Sequence, residues 1–123
     1  MAKQNEYEAY RNYFEEQCNM PYLREANPHY VDILDEMQEL MTEVCSSDRE
    51  MIRVGGEDRP LQMVKSRLMK LDQEQLQFAL NCFLENTTKV RNIRQYLLTI
   101  LFNAPVTIGS YYTALVRHDM YGF

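Results

Sequence analysis

The chain is short of the residues that punctuate loops and build secreted scaffolds. It has only four Gly and four Pro in 123 residues, which argues against a loop-rich or all-β fold. No CxxC is present, and the three cysteines, Cys18, Cys45 and Cys82, form an odd, widely spaced set with neither His29 nor His118 nearby in sequence. A zinc site is therefore disfavoured; reduced thiols on apolar helix faces suit the pattern and a reducing, cytoplasmic compartment. No secretory leader is evident, and no apolar run approaches the roughly 18 residues of a membrane span. The longest such stretch, about Tyr96–Phe102, is broken by Thr99. HExxH, EF-hand and DxD arrangements and a GxxxxGK[ST] loop are all missing, so no metal, no cofactor and no catalytic residue is expected. His118-Asp119 is the one His-carboxylate neighbour pair, and no Ser or Cys is singled out as its nucleophile. An imidazole acting on a helix C-terminal dipole is the simpler role. The chain reads as a non-enzyme.

What is present is ordinary globular material, 46% apolar and 25% charged, long enough for one core without disulfides or metal. Residues 1–123 are read as one domain. The net charge of −5 is unevenly placed. Up to Asp58 there are five basic against fourteen acidic residues; from Arg59 onward there are eight against four. An acidic and a basic face with different partners would follow, unless the acids are simply solvated helix surface.

Periodicity predicts a mainly α fold, a compact bundle of about five or six helices with one short β-hairpin. Tyr7, Tyr10, Tyr13 and Phe14 form an aromatic stripe on a helix over about Gln4–Cys18, either core or a groove for a partner helix. A short helical piece opened by Pro21 follows. Asn27-Pro28 reads as the start of an acidic helix carrying Val31, Leu34, Met37, Leu40, Met41, Val44 and Cys45 and ending at Ser46-Ser47-Asp48. The carboxylates of this helix are expected to be solvated. Gly55-Gly56 suits a reversal between strands near Met51–Arg59. Pro60 opens a helix through Leu71 with Lys65, Arg67 and Lys70 outward. Asp72 and Gln75 have capping-box spacing before a helix that buries Leu76, Phe78 or Ala79, Leu80, Phe83 and Leu84. Thr87 or Thr88 should cap a helix with Val90, Ile93, Tyr96, Leu97, Ile100 and Leu101 inward. It should end at Asn103-Ala104-Pro105, with a last helix over about Ile108–His118.

Lys89, Arg91 and Arg94 cluster at the start of the penultimate helix, where cations oppose the dipole, so stability alone does not explain them. With Lys65, Arg67 and Lys70 they make a candidate site for sequence-independent nucleic-acid binding. The alternative is pairing of Arg91 and Arg94 with acids of the first half.

The runs IRVGGEDRPLQMVKSRLMKL (52–71) and ENTTKVRNIRQYLLTILFNAPVTIGSYYTALVRHDMY (85–121) resemble the C-terminal domain of the replication initiator protein A family of Firmicute plasmids and conjugative elements. The resemblance covers about half the chain by motif. It implies a domain of a plasmid replication initiator that recruits host replication proteins, a primase or a helicase loader, while an N-terminal winged helix of the family binds origin DNA. It also implies a likeness to DnaD, whose signature is YxxxIxxxW; Tyr96 and Ile100 keep that spacing and Ala104 stands in place of Trp. Tyr7, Tyr10, Phe14, Tyr96 and Ile100 are accordingly the candidate partner-binding residues. A stripe that paired with its own copy would make the chain a homo-oligomer.

Overall fold

The computed structural model describes residues 2–86 and 91–120, with side chains of the last helix described as far as Gly109. Among these, six helices and one hairpin follow in the order α1 Ala2–Gln17, α2 Met20–Ala26, α3 Val31–Cys45, β1 Met51–Val54, β2 Glu57–Pro60, α4 Leu61–Leu68, α5 Gln73–Glu85 and α6 Ile93–Met120. None of the helices is long and apolar enough to cross a membrane.

The core forms where the apolar faces of α1, α3, α5 and α6 meet. Phe14, Leu34, Met37, Met41, Leu68, Leu76, Leu80 and Leu101 are fully sealed, which removes the largest apolar areas from water. The aromatic stripe of α1 is core: Phe14 is buried, Tyr10 and Tyr13 pack against it from the edge, and the Tyr13 hydroxyl donates to the Met69 carbonyl at 2.5 Å.

Between α1 and α2 the chain reverses at Asn19, which takes a left-handed φ of 50° that asparagine tolerates better than most residues. Asn27 does not begin α3. Its backbone N–H and its side-chain amide both donate to the Leu23 carbonyl, so it closes α2, and the side chain also exchanges hydrogen bonds with Gln77 of α5. The acidic helix therefore starts three residues later, at Val31. The capping box at α5 stands as expected: Asp72 accepts from the Gln75 N–H at 2.9 Å, and the Gln75 side chain accepts from the Asp72 N–H.

The hairpin pairs Val54 with Glu57 across Gly55 and Gly56, whose φ values of 63° and 81° are what a two-residue reversal between right-twisted strands demands. Two strands alone are marginal. This pair is secured by sealing Val54 in the core and by α6, where the Gln95 side chain donates to the Arg53 carbonyl at 2.7 Å and Thr99 Oγ1 accepts from the Gly55 N–H at 3.2 Å.

At the end of the chain, one helix stands where two were expected. α6 runs for 28 residues straight through Pro105. An interior proline removes the hydrogen bond to the carbonyl four residues back, here Leu101, at a cost of about 3 kcal/mol. Burial of Leu98, Leu101, Phe102, Ala104 and Ile108 on both sides of it opposes that loss. Arg67 also donates to the Phe102 carbonyl at 3.2 Å. Thr87 and Thr88 lie outside the described residues; at the start of α6 the Asn92 side chain accepts from the Gln95 N–H at 3.0 Å. Ile93, expected inward, is 55% exposed, because it occupies the first position of the helix before the core stripe begins at Leu97.

The carboxylates expected to be solvated are in part paired. Arg24 forks onto Glu15 at 2.7 and 3.0 Å and also donates to Asp35 and Gln38. The hydrogen bonds from Arg24 hold the Glu15 carboxyl below its ordinary range. A depressed folded pKa contributes stability that is present above the unfolded value near 4.5 and is lost as pH falls through the folded value. Arg24→Ala should therefore lower stability at neutral pH by about 1.5–3 kcal/mol, as for hydrogen bonds to charged groups, and should flatten the acid limb of a stability-versus-pH curve measured by urea unfolding. An unchanged acid limb would remove Glu15 from the account.

Candidate functional site

Tyr96, Ile100 and Ala104 follow one another at intervals of four, so they fall on one stripe of α6. That stripe lines an apolar groove against α5, closed on the other side by Phe78 and Cys82, with Thr99, Asn103 and Thr107 along its edge. The groove holds about 320 Å³. Tyr96 is fixed at one end by an edge-to-face contact with Phe83, the ring centroids 6.1 Å apart and the planes at 70°. Ala104, 1% exposed, presents only a methyl group to the hollow, and a larger side chain at this position would fill it. The Thr107 hydroxyl donates to the Asn103 carbonyl at 2.9 Å, so this edge has no unspent hydroxyl proton.

Tyr96 and Ile100 are thus the two candidates brought together. The others are dispersed. Phe14 is sealed in the core and offers a partner no surface in this fold. Tyr10 lies under the Lys65 ammonium, 4.7 Å from its ring centroid, a contact that links α1 to α4. Tyr7 is half-buried, and burial together with the carboxylates of Glu39 and Glu43 pushes its hydroxyl pKa up.

Among the described residues the basic candidates do not form one patch. Arg67 lies 3.9 Å from the Phe102 ring centroid while donating to the Phe102 carbonyl, and Arg59 stands over the same ring at 4.8 Å. Arg94 reaches across to α3, where Glu36 and Glu43 each accept one arm of its guanidinium. Arg94 and Phe102 are eight residues apart on one helix, so Arg94 and Arg67 are separated by about 12 Å along α6. Lys70, in the turn after α4, and Arg91, before α6, are exposed; Lys89 lies outside the described residues.

Among the described residues no group of His, Cys, Asp and Glu is arranged to hold a metal ion. Burial pushes the Cys18 and Cys45 thiols up to about 12, and raises that of Cys82 as well, with Glu85 adding to the shift. The Cys18 and Cys45 thiols therefore stay protonated at neutral pH and are poor nucleophiles. His118 falls two residues before the end of α6, with its side chain outside those described.

Phe78 and Cys82 were missed as site residues. The only sequence signal was that either Phe78 or Ala79 could face inward; Ala79 is the buried one, which leaves Phe78 to line the groove. Cys82 is half-buried and borders the groove, whereas Cys18 and Cys45 are sealed. A maleimide should accordingly label Cys82 alone in the native protein, and all three thiols only in denaturant, as read by peptide mapping. Native labelling of Cys18 at the same rate would contradict this packing.

No curated protein and no solved structure matches the chain. The profile of a family of unknown function, DUF6017, matches residues 1–122, and the chain belongs to that family.

Proposed function

We propose that this chain is a non-catalytic, cytoplasmic macromolecule-binding domain of a plasmid or mobile-element replication initiator. In this reading it recruits a host replication protein, a primase or a helicase loader, through the α5–α6 groove. The observation that carries the proposal is that Tyr96, Ile100 and Ala104, the three positions aligned with the YxxxIxxxW pattern, line one apolar hollow. Its volume is at the small end of ligand pockets and suits one or two apolar side chains of a partner helix laid along α6. Where the pattern has Trp, this chain has Ala104, so the bulky group that fills the groove is supplied by the partner.

The alternative, sequence-independent binding of DNA, is less well supported. Arg94 is engaged by two carboxylates, and Arg67 is stacked on Phe102 and hydrogen-bonded to its carbonyl. A strand would have to displace those partners before gaining phosphate contacts.

The test uses purified primase and purified helicase loader, each immobilised and exposed to the chain. One of them should bind, and Ile100→Asp should weaken binding at least tenfold with helicity unchanged in circular dichroism. Because Ile100→Asp can also disturb packing, wild-type protein carrying a maleimide adduct on Cys82 is measured beside it and should lose binding to the same extent. Absence of binding to either partner, or an adduct that binds as well as the unlabelled chain, overturns the reading. Binding to single-stranded DNA with a steep salt dependence would favour the alternative instead.

A further inference from the structure

On the opposite side of α6 from the groove's α5 wall, the end of α3, strand β1 and the start of α6 enclose a second cleft of about 540 Å³. Its polar rim is made by Ser47, Arg49, Arg53, Asn92, Arg94 and Gln95, with Glu43 as the one acidic side chain. Glu43 is already committed to Arg94, and Arg94 is shared with Glu36, so this trio keeps one negative charge in excess and Arg94 has no charge to spare for a ligand. The two remaining arginines are differently placed. Arg53 makes one long, exposed ion pair with Asp58 at 3.3 Å, of the kind that contributes between nothing and about 1 kcal/mol. Arg49 makes no ion pair among the described residues, and the side-chain hydrogen bond it forms is from its backbone N–H to the Ser47 hydroxyl oxygen.

Most of the polar groups left over around this cleft are donors, the Gln95 side-chain oxygen being an acceptor. The guanidiniums of Arg49 and Arg53 carry only donors; Ser47, having accepted from the Arg49 N–H, keeps its hydroxyl proton. Asn92, having spent its carbonyl oxygen on the Gln95 N–H, keeps its amide hydrogens. A rim of two forked cations, a hydroxyl and an amide, in which donors outnumber the acceptors of Gln95 and Glu43, matches a compact group with several acceptor oxygens and a negative charge. Carboxylate meets only part of that description; phosphate, with three or more oxygens for planar guanidinium forks, meets all of it.

We infer that this cleft is a phosphate-binding site, with Arg49 and Arg53 as its principal ligands and Ser47 and Asn92 as hydrogen-bond donors. The inference is independent of the α5–α6 groove and of the recruitment reading. The source is a single terminal phosphate group, as on a nucleotide, more than an extended strand. Asp32, Glu36, Glu39 and Glu43 run along α3 from the cleft and repel a polyanion that would have to continue in that direction, and among the described residues the cleft has no aromatic side chain on which a base could stack.

The test titrates the folded chain with inorganic phosphate and separately with adenosine 5′-monophosphate at constant ionic strength, following the arginine side-chain N–H resonances by nuclear magnetic resonance. Saturable shifts confined to Arg49, Arg53 and their neighbours are expected, with none from chloride at the same ionic strength. Arg49→Ala together with Arg53→Ala should weaken binding at least tenfold while the melting temperature holds, since both side chains are exposed. Arg49→Lys should recover part of the loss, because charge returns without the fork. A thymidine oligomer without a terminal phosphate supplies the other source: binding through the same two arginines, tighter than the mononucleotide, would keep the phosphate site and reassign its ligand to a strand. No saturable shift, an equal response to chloride, or a double variant that binds like the parent overturns the proposal.

Discussion

The fold depends first on keeping four charged or polar side chains satisfied where α1, α2 and α3 converge. Arg24 is three-quarters buried, and a guanidinium in that position is tolerable only with its donors occupied. Glu15 takes two of them, Asp35 a third and Gln38 a fourth. Gln38, itself 2% exposed, completes the set by donating to the Arg11 carbonyl and to Glu15. Among the described residues no buried side-chain nitrogen or oxygen lacks a partner. A network of this kind is directional where apolar packing is not, so it fixes the rotation of α3 about its own axis. That rotation turns Met37, Met41 and Val44 into the core and presents Glu36 and Glu43 to Arg94 of α6. The positioning of α6, and with it both surfaces to which a role is given above, follows from how α3 is held.

The uneven charge of the chain acquires a physical meaning in this arrangement. The acidic first half and the basic second half meet within the molecule, through Arg94 with Glu36 and Glu43. Part of the polarity visible along the sequence is thereby consumed internally. Around the second cleft, Arg49 just after α3 has no ion pair among the described residues and Arg53 on the exposed face of β1 has one long one, and no run of like charges in the sequence marks either.

Helical spacing made most of the architecture legible. The stripes of α1, α3, α4 and α5, the Asp72–Gln75 box and the Gly55-Gly56 reversal all depend on neighbours within four residues, which a sequence displays directly. Asn27-Pro28 misled because the side chain that could have capped α3 is drawn to Leu23 and to Gln77, the latter fifty positions away. Pro105 misled because its local cost is outweighed by tertiary burial and by contacts from α4 that no local pattern reveals. The candidate site was half legible for the same reason. Tyr96 and Ile100 share a face by spacing alone, but the wall opposite them comes from α5, and Arg94 finds its partners more than fifty residues upstream.

Thr99 occupies an unusual position between the two sides of α6. Its hydroxyl donates to the Gln95 carbonyl at 3.0 Å and accepts from the Gly55 N–H, which ties it to the hairpin that carries Arg53. The same residue lines the edge of the α5–α6 groove. Thr99 lines the groove and is hydrogen-bonded to the hairpin whose strand β1 borders the cleft, so displacing it on the groove side strains its bond to Gly55. Thermodynamic linkage then makes the relation symmetrical. To the extent that filling the groove shifts the hairpin, filling the arginine cleft shifts the groove by the same free energy. Thr99 is in this sense a shared hinge pin, and cooperativity between the two faces, of either sign, would pass through it.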